Sequence, residues 1–253
     1  MDVFFDFHEV LSDRYAVSQN YRIYLANVLD PVGISPEEAF QIHDKAYNIW
    51  IGKIISLPDK FDDDGDNEKF MARYRKIDEE WEHYILDHIP QNQRENIKPL
   101  LKTSTVEYQA LAQGGPILYS DVVPTLETLR TRLNLRLHVA SSASSHHVKG
   151  GIDRHGIKDF FSTIVGYDTV RAPKRAKNTY YFEKLLEITD SIPQQSVFVG
   201  DSIEEAANSK AVGMHFIMVQ RAKIHTSETR NRDLGIVSVS SLDMLVQLIP
   251  NLF

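Results

Sequence analysis

No cysteine occurs among the 253 residues. Disulfides, thiolate nucleophiles and thiolate-bound zinc are therefore excluded, and the expected setting is a reducing compartment. Long apolar runs are missing too: none approaches the ~20 residues that a membrane-spanning helix needs. Positive charge is in the minority, with 28 Lys and Arg against 35 Asp and Glu and a net charge of −7. That balance argues against a protein that tracks the phosphate backbone of a nucleic acid. There is no internal repeat and no low-complexity tract. The first residues read directly as a strand, with no basic-then-apolar leader, so the expected location is cytoplasmic. Hydrophobic residues make up 42% and charged residues 25%. This is enough apolar material for one large domain, or for a core with a smaller insert.

The pattern divides the chain. Val3-Phe4-Phe5 is a short apolar run that predicts a buried strand, with Asp6 at its carboxyl end. From Tyr15 onwards the apolar spacing is helical for about a hundred residues, far longer than a loop. Ser35-Pro36-Glu37-Glu38 marks one helix start, with a Ser cap, an early Pro and a capping-box Glu. A further helix is expected from about Asn67 to Ile89, a shorter segment between Pro90 and Pro99, and a stop at Gly114-Gly115-Pro116. Strands and helices then alternate. A helix over Asp121 to Leu133 turns Val123, Leu126, Leu129 and Leu133 inward, and Leu135 to Ala140 forms a strand. Ser196 to Val199 and Phe216 to Val219 form two more. The expected fold is α/β, a Rossmann-like parallel sheet core of residues 1–13 and 118–253. An all-α block, 14–117, is inserted between its first two strands.

Chemistry is expected at the strand ends, where open α/β sheets bind ligands. Asp6 is a candidate nucleophile there. Ser141 closes the strand Leu137 to Ala140 and can donate to an anionic oxygen, although a Ser in that place is more often a helix cap. Asp168 to Lys174 is a loop before a helix, and Lys177 is a second cation nearer that helix. Gly200-Asp201-Ser202 ends another strand and is followed by Glu204 and Glu205. Asp201 beside Asp6 would offer hard oxygen ligands of the kind Mg²⁺ prefers. The run Asp62 to Asp66 fails the frame of a calcium loop. His146 and His147, on neighbouring helical positions, are expected to cap or face solvent. Trp50 and Trp81 are expected in the helical core, with one of them available to a pocket.

Four stretches, in order, resemble the motifs of the haloacid dehalogenase-like (HAD) hydrolases: Asp6-Phe7-His8-Glu9-Val10-Leu11, the strand ending in Ser141, the lysine loop, and Gly200-Asp201-Ser202 to Glu205. The insert between the first two motifs resembles the helical lid of the family's C1 class. The resemblance implies phosphoryl transfer through an aspartyl-phosphate on Asp6, acting on a small phosphomonoester. It implies Mg²⁺ held by Asp6, Asp201 and the backbone carbonyl of His8, with Glu205 as a ligand or outer partner. Ser141 and Lys174, or Lys177 in its place, would bind the phosphoryl oxygens.

Two positions depart from the pattern. His8 stands where the family's second aspartate protonates the leaving group, and Glu9 stands where the family has glycine. Histidine titrates near neutrality and can serve as acid and then base. The alternatives are a degenerate site that binds without turnover, or different chemistry of the dehalogenase or phosphonatase kind. The retained Gly200-Asp201-Ser202 speaks against a metal-free dehalogenase. A Glu at position 9 is costly where the backbone needs positive φ.

Overall fold

The computed structural model describes residues 1–57, 66–171, 178–221 and 235–252. Lys174, Lys177 and residues 62–65 of the acidic run lie outside these. Six parallel strands form one sheet in the order β3-β2-β1-β4-β5-β6. They are β1 (Asp2–Phe5), β2 (Arg136–Ala140), β3 (Phe161–Val165), β4 (Ser196–Gly200), β5 (His215–Val219) and β6 (Val237–Val239). The central strands are mostly apolar because both of their faces are covered, with Asp2 and His138 as buried exceptions. Val3 and Phe5 of β1 enter one hydrophobic cluster and Phe4 enters another. Val197, Val199 and Phe198 of β4 divide in the same way. The order reverses between β1 and β4, which places a crevice at their carboxyl ends.

The described residues between β1 and β2 form helices joined by turns and loops, with only isolated bridges at His8, Ser12 and Leu118. The main elements are α1 (Arg14–Leu29), α2 (Pro36–Ile55), α3 (Asp66–Leu86), α4 (Arg94–Leu101) and α5 (Thr103–Ala112), followed by α6 (Val122–Thr131). Ser35 caps α2 as expected, its hydroxyl accepting from the Glu38 N–H at 3.2 Å. The first five helices contribute most of a third hydrophobic cluster around Phe70, Tyr74 and Ile85. The chain leaves and re-enters the sheet layer side by side, with Asp13 N–H on Ile117 O at 2.8 Å and Tyr119 N–H on Leu11 O at 3.2 Å.

Two expectations need correction. Pro99 does not bound a segment but sits inside α4. Its ring has a helical φ, and it forfeits one ladder hydrogen bond two residues before the helix ends. Val123 is not inward: it is 40% exposed, while Val122, Leu126 and Leu129 are buried. The buried stripe on α6 therefore starts one residue earlier than the pattern suggested. Among the described residues no helix is long and apolar enough to cross a membrane.

The sheet also buries titratable groups. His138 of β2 stacks on Phe4, with ring centroids 4.7 Å apart, and its Nε2 lies 3.3 Å from Asp2 Oδ1. Burial pushes its pKa below the ordinary value despite Asp2. Burial likewise lowers His43, against the pull of Asp44, and His155, whose Nε2 accepts from the Ile117 N–H at 3.1 Å. The unfolded chain therefore takes up protons first as pH falls through about 6.5, and stability drops from there downward. For Asp2, burial alone would raise the pKa, but hydrogen bonds from Arg136, Ser191 and His138 lower it. Its contribution is lost only below about pH 4. Melting temperature should fall between pH 7 and 5, and His138→Gln should make that fall shallower. An unchanged slope in the variant would remove His138 from the explanation.

Candidate functional site

The first turn after β1 builds the site. Asp6 continues β1 by one residue, its N–H bonded to Val199 O of β4 at 2.9 Å. Its Oδ1 accepts from the Phe7 N–H at 2.8 Å, which orients the carboxylate. The chain then folds back on itself: Leu11 and Ser12 N–H both reach Phe7 O, and Glu9 N–H reaches Ser12 O. That turn needs a left-handed residue, and Glu9 supplies it with φ of 58°. The conformation costs a non-glycine residue about 1–2 kcal/mol. Part of that is offset where Tyr119 Oη donates to Glu9 Oε2 at 3.0 Å. Burial, then the Glu9 contact, raise the Tyr119 pKa, so the phenol keeps the proton it donates. Arg221 lies over the Tyr119 ring at 4.2 Å and bonds Asp121 and Val10 O.

β4 supplies the opposite wall. Asp201 and Glu205 join Asp6 in a cluster in which one carboxylate oxygen from each lies within 4.8 Å of the others. Asp6 and Glu205 are each 7% exposed; Asp201 is exposed. Glu205 sits in the first turn of the helix Ile203–Ala211 and accepts from the Asp201 N–H at 3.2 Å. Gly200 makes room for this, since a Cβ there would stand 2.2 Å from Glu205 Oε2. Glu204, one position away, is exposed, as its helical phase requires.

Ser141 follows β2, is buried, and accepts from the Ala143 N–H at 3.0 Å. Behind it, Ser144 caps α7 (Ser145–Arg154) and also donates to Glu107 of α5 at 2.5 Å. Ser145 binds Asp168 through both its N–H and its hydroxyl.

His8 reaches the Ser12 hydroxyl with Nδ1 at 3.3 Å. Ser12 already donates to Phe7 O at 3.0 Å, so it meets Nδ1 as an acceptor. This assigns the Nδ1–H tautomer and leaves Nε2 with the lone pair. The His8 ring stands edge-on to His147 at 4.8 Å. Tyr21 Oη lies 2.6 Å from His147 Nδ1. Burial, then the charges of Glu107 and Tyr47, raise the Tyr21 pKa well above its usual value. Tyr21 is therefore the donor, which puts the His147 proton on Nε2.

These groups open into one cavity of about 450 Å³, lined by Asp6, His8, Glu9, Ser141 and Asp201 at one end. Helical residues including Tyr21, His43, Trp50, Trp81 and Glu107 line the other end. His147 belongs to the lining, against the expectation of a capping or surface role, and only His146 is exposed. The step of about 100° between helix neighbours separates the pair. Glu107 and Tyr21 were not singled out from the sequence; a lone Glu or Tyr on an amphipathic helix carries no signal of its own.

Residues 3–219 match the family model described as haloacid dehalogenase-like hydrolase. A phosphoglycolate phosphatase from Shigella boydii serotype 4 is 28% identical over 130 residues, covering 50% of this chain and 48% of the relative. A pyrophosphatase PpaX from Oceanobacillus iheyensis is 28% identical over 109 residues, covering 43% and 45%. The chain thus spans about half the length of the curated relatives it matches. A 2-haloacid dehalogenase from Pseudomonas syringae pv. Tomato DC3000 shares the fold, with a TM-score of 0.65 at 17% identity over 99% of this chain and 98% of that one. With the strand-end carboxylates and a match over most of its length, the chain belongs to the haloacid dehalogenase-like hydrolases.

Proposed function

We propose that this chain is a Mg²⁺-dependent phosphatase that hydrolyses a small phosphomonoester, with residues 14–117 acting as a lid over the α/β core. The observation that carries this reading is the cluster of Asp6, Asp201 and Glu205, of which Asp6 and Asp201 line the cavity. Three carboxylates so close repel one another, and their oxygens are the donor type that a hard divalent cation takes. Asp6, Asp201 and the His8 backbone carbonyl would hold the ion, with Glu205 as ligand or outer partner. Bound there, the ion would offset the negative charge of the carboxylates and of the phosphoryl group. The two relatives' names, a phosphoglycolate phosphatase and a pyrophosphatase, support a small phosphorylated substrate.

In this reading an Asp6 oxygen attacks phosphorus and the bond to the leaving oxygen breaks. The leaving oxygen takes a proton from His8 in its imidazolium form. Water then attacks the aspartyl-phosphate, passes a proton to the now neutral His8 and releases phosphate, which restores Asp6. The Ser141 hydroxyl and Lys174, or Lys177, hold the phosphoryl oxygens.

The test is phosphate release from an aryl and an alkyl phosphate with Mg²⁺, before and after chelation. Wild type should turn over both, and EDTA should stop both. His8→Asn should slow the alkyl ester by about 10²-fold, the usual worth of an acid or base. The aryl ester, whose leaving group needs little protonation, should lose less. Equal losses would remove His8 as the acid. Turnover by His8→Asp alone, with wild type silent, would instead favour a binding protein on the same scaffold.

A further inference from the structure

Resting on that phosphatase reading, we infer that the alcohol part of the substrate carries a flat aromatic ring and no second anionic group. The cavity's volume of about 450 Å³ lies in the range of sites that enclose a drug-sized ligand rather than a bare ion. On its helical side five of the lining residues carry rings: Tyr21, His43, Tyr47, Trp50 and Trp81. His43, Tyr47 and Trp50 follow one another at i, i+4 and i+7 on α2, one face of the helix. Their planes are nearly parallel: His43 and Tyr47 meet at 6° and Tyr47 and Trp50 at 25°, both pairs with centroids 6.1 Å apart. Trp50 is held in that orientation by its indole N–H, which donates to Asp78 on α3 at 2.8 Å. Tyr21 and Trp81 line the same space from α1 and α3. Tyr47 remains 39% exposed although it belongs to this stripe, so part of its ring is left uncovered and open to a further aromatic contact.

Charge narrows the class further. Glu107 is buried in the lining, and Arg14 is the only Lys or Arg there among the described residues. A carboxylate on the organic part of the substrate would meet Glu107 in a poorly solvated space. A neutral ring, or one bearing an N–H, would not.

Benzyl, cyclohexylmethyl and 4-carboxybenzyl phosphate test this, because all three release primary alcohols. Wild type should favour benzyl phosphate in kcat/KM over cyclohexylmethyl phosphate by about tenfold, the upper worth of an aromatic contact, and over 4-carboxybenzyl phosphate by about tenfold or more through like-charge repulsion from Glu107. Tyr47→Leu, which removes a ring from a partly exposed position, should lower the benzyl-to-cyclohexylmethyl ratio at least ~3-fold, and Tyr47→Phe should retain it. Binding gives a second readout, since the chain's two tryptophans, Trp50 and Trp81, both line the cavity. Benzyl phosphate should change their emission at lower concentration than the other two compounds do. Equal handling of benzyl phosphate and either comparison compound overturns the inference and leaves the phosphatase reading intact. Preferential binding of benzyl phosphate with no turnover of any ester overturns the phosphatase reading and supports the aromatic slot. Neither binding nor turnover overturns both.

Discussion

Asp6→Asn should reduce Mg²⁺-supported phosphate release by about 10³-fold or more, which corresponds to ~4 kcal/mol of barrier. The substitution leaves the shape of the side chain almost unchanged. Asparagine has the same shape, and its carbonyl oxygen can accept the Phe7 N–H that Asp6 Oδ1 accepts at 2.8 Å. What is lost, on the proposed mechanism, is the negative oxygen that would attack phosphorus; an amide oxygen is a far weaker nucleophile. The change also removes one of three carboxylates packed within 4.8 Å. Without metal, the variant should therefore melt no lower than wild type, because like-charge crowding is relieved. With metal the order should reverse. At ~100 times its Kd, Mg²⁺ should stabilise wild type by about 2.7 kcal/mol and the variant by clearly less. Turnover and the Mg²⁺-dependent melting shift, measured on the same preparations, separate a lost nucleophile from a lost fold. More than a tenth of wild-type activity in the variant would eliminate Asp6 as nucleophile.

The parts of the site that follow apolar strands were readable in advance for a physical reason. A buried parallel strand is a short apolar run, and the polar residue that ends it lies at the ligand-binding edge of the sheet. Asp6, Ser141 and Asp201 each follow such a run, and β1, β2 and β4 are neighbours. Helical phase separated Glu205 from Glu204 in the same way, one buried and the other exposed. The positive φ at Glu9 fitted the cost expected where a glycine is replaced, but its remedy did not show. Tyr119 lies 110 residues away in sequence, and nothing local ties the two together.

The helical side of the cavity was less legible, because periodicity reports which residues avoid water and not what they face. His43 and Trp50 show the spacing of a core stripe, yet both border the cavity. Trp81 does the same from α3. Judged as a pair, His146 and His147 suggested surface; in the fold Tyr21 reaches across from α1 and claims His147 alone. Tyr21 and His147 are 126 positions apart. Contacts of that kind come from the way the insert folds over the sheet, and a single sequence does not contain it.

The second large effect is expected at Gly150, far from any reacting atom. Gly150→Ala should destabilise the protein by about 2–3 kcal/mol, the upper part of the usual range for overpacking. In a chain of this size that is a fall of ~5–10 °C in melting temperature. α7 and α5 cross at this residue so closely that a Cβ on Gly150 would stand 2.3 Å from Tyr108 O and 3.1 Å from Tyr108 Cα. These are backbone atoms of a helix and cannot rotate aside, so one helix must move. The neighbouring Gly151 faces Phe7 and Ile117, where a Cβ would meet Phe7 Cζ at 2.6 Å. α7 is therefore wedged between α5 and the turn that carries Asp6, with little room to retreat. The same crossing holds the contact from Ser144 to Glu107 and that from Tyr108 Oη to Asp153 Oδ2 at 2.9 Å. Gly52→Ala is the internal control. Gly52 lies in α2, and among the described residues nothing would come within 4 Å of a Cβ there. At that position alanine should stabilise by about 0.5–1 kcal/mol through helix propensity alone. The same chemical change should thus move melting temperature in opposite directions at two helical glycines. A Gly150→Ala protein that melts at or above wild type would show that α5 and α7 do not approach this closely in solution.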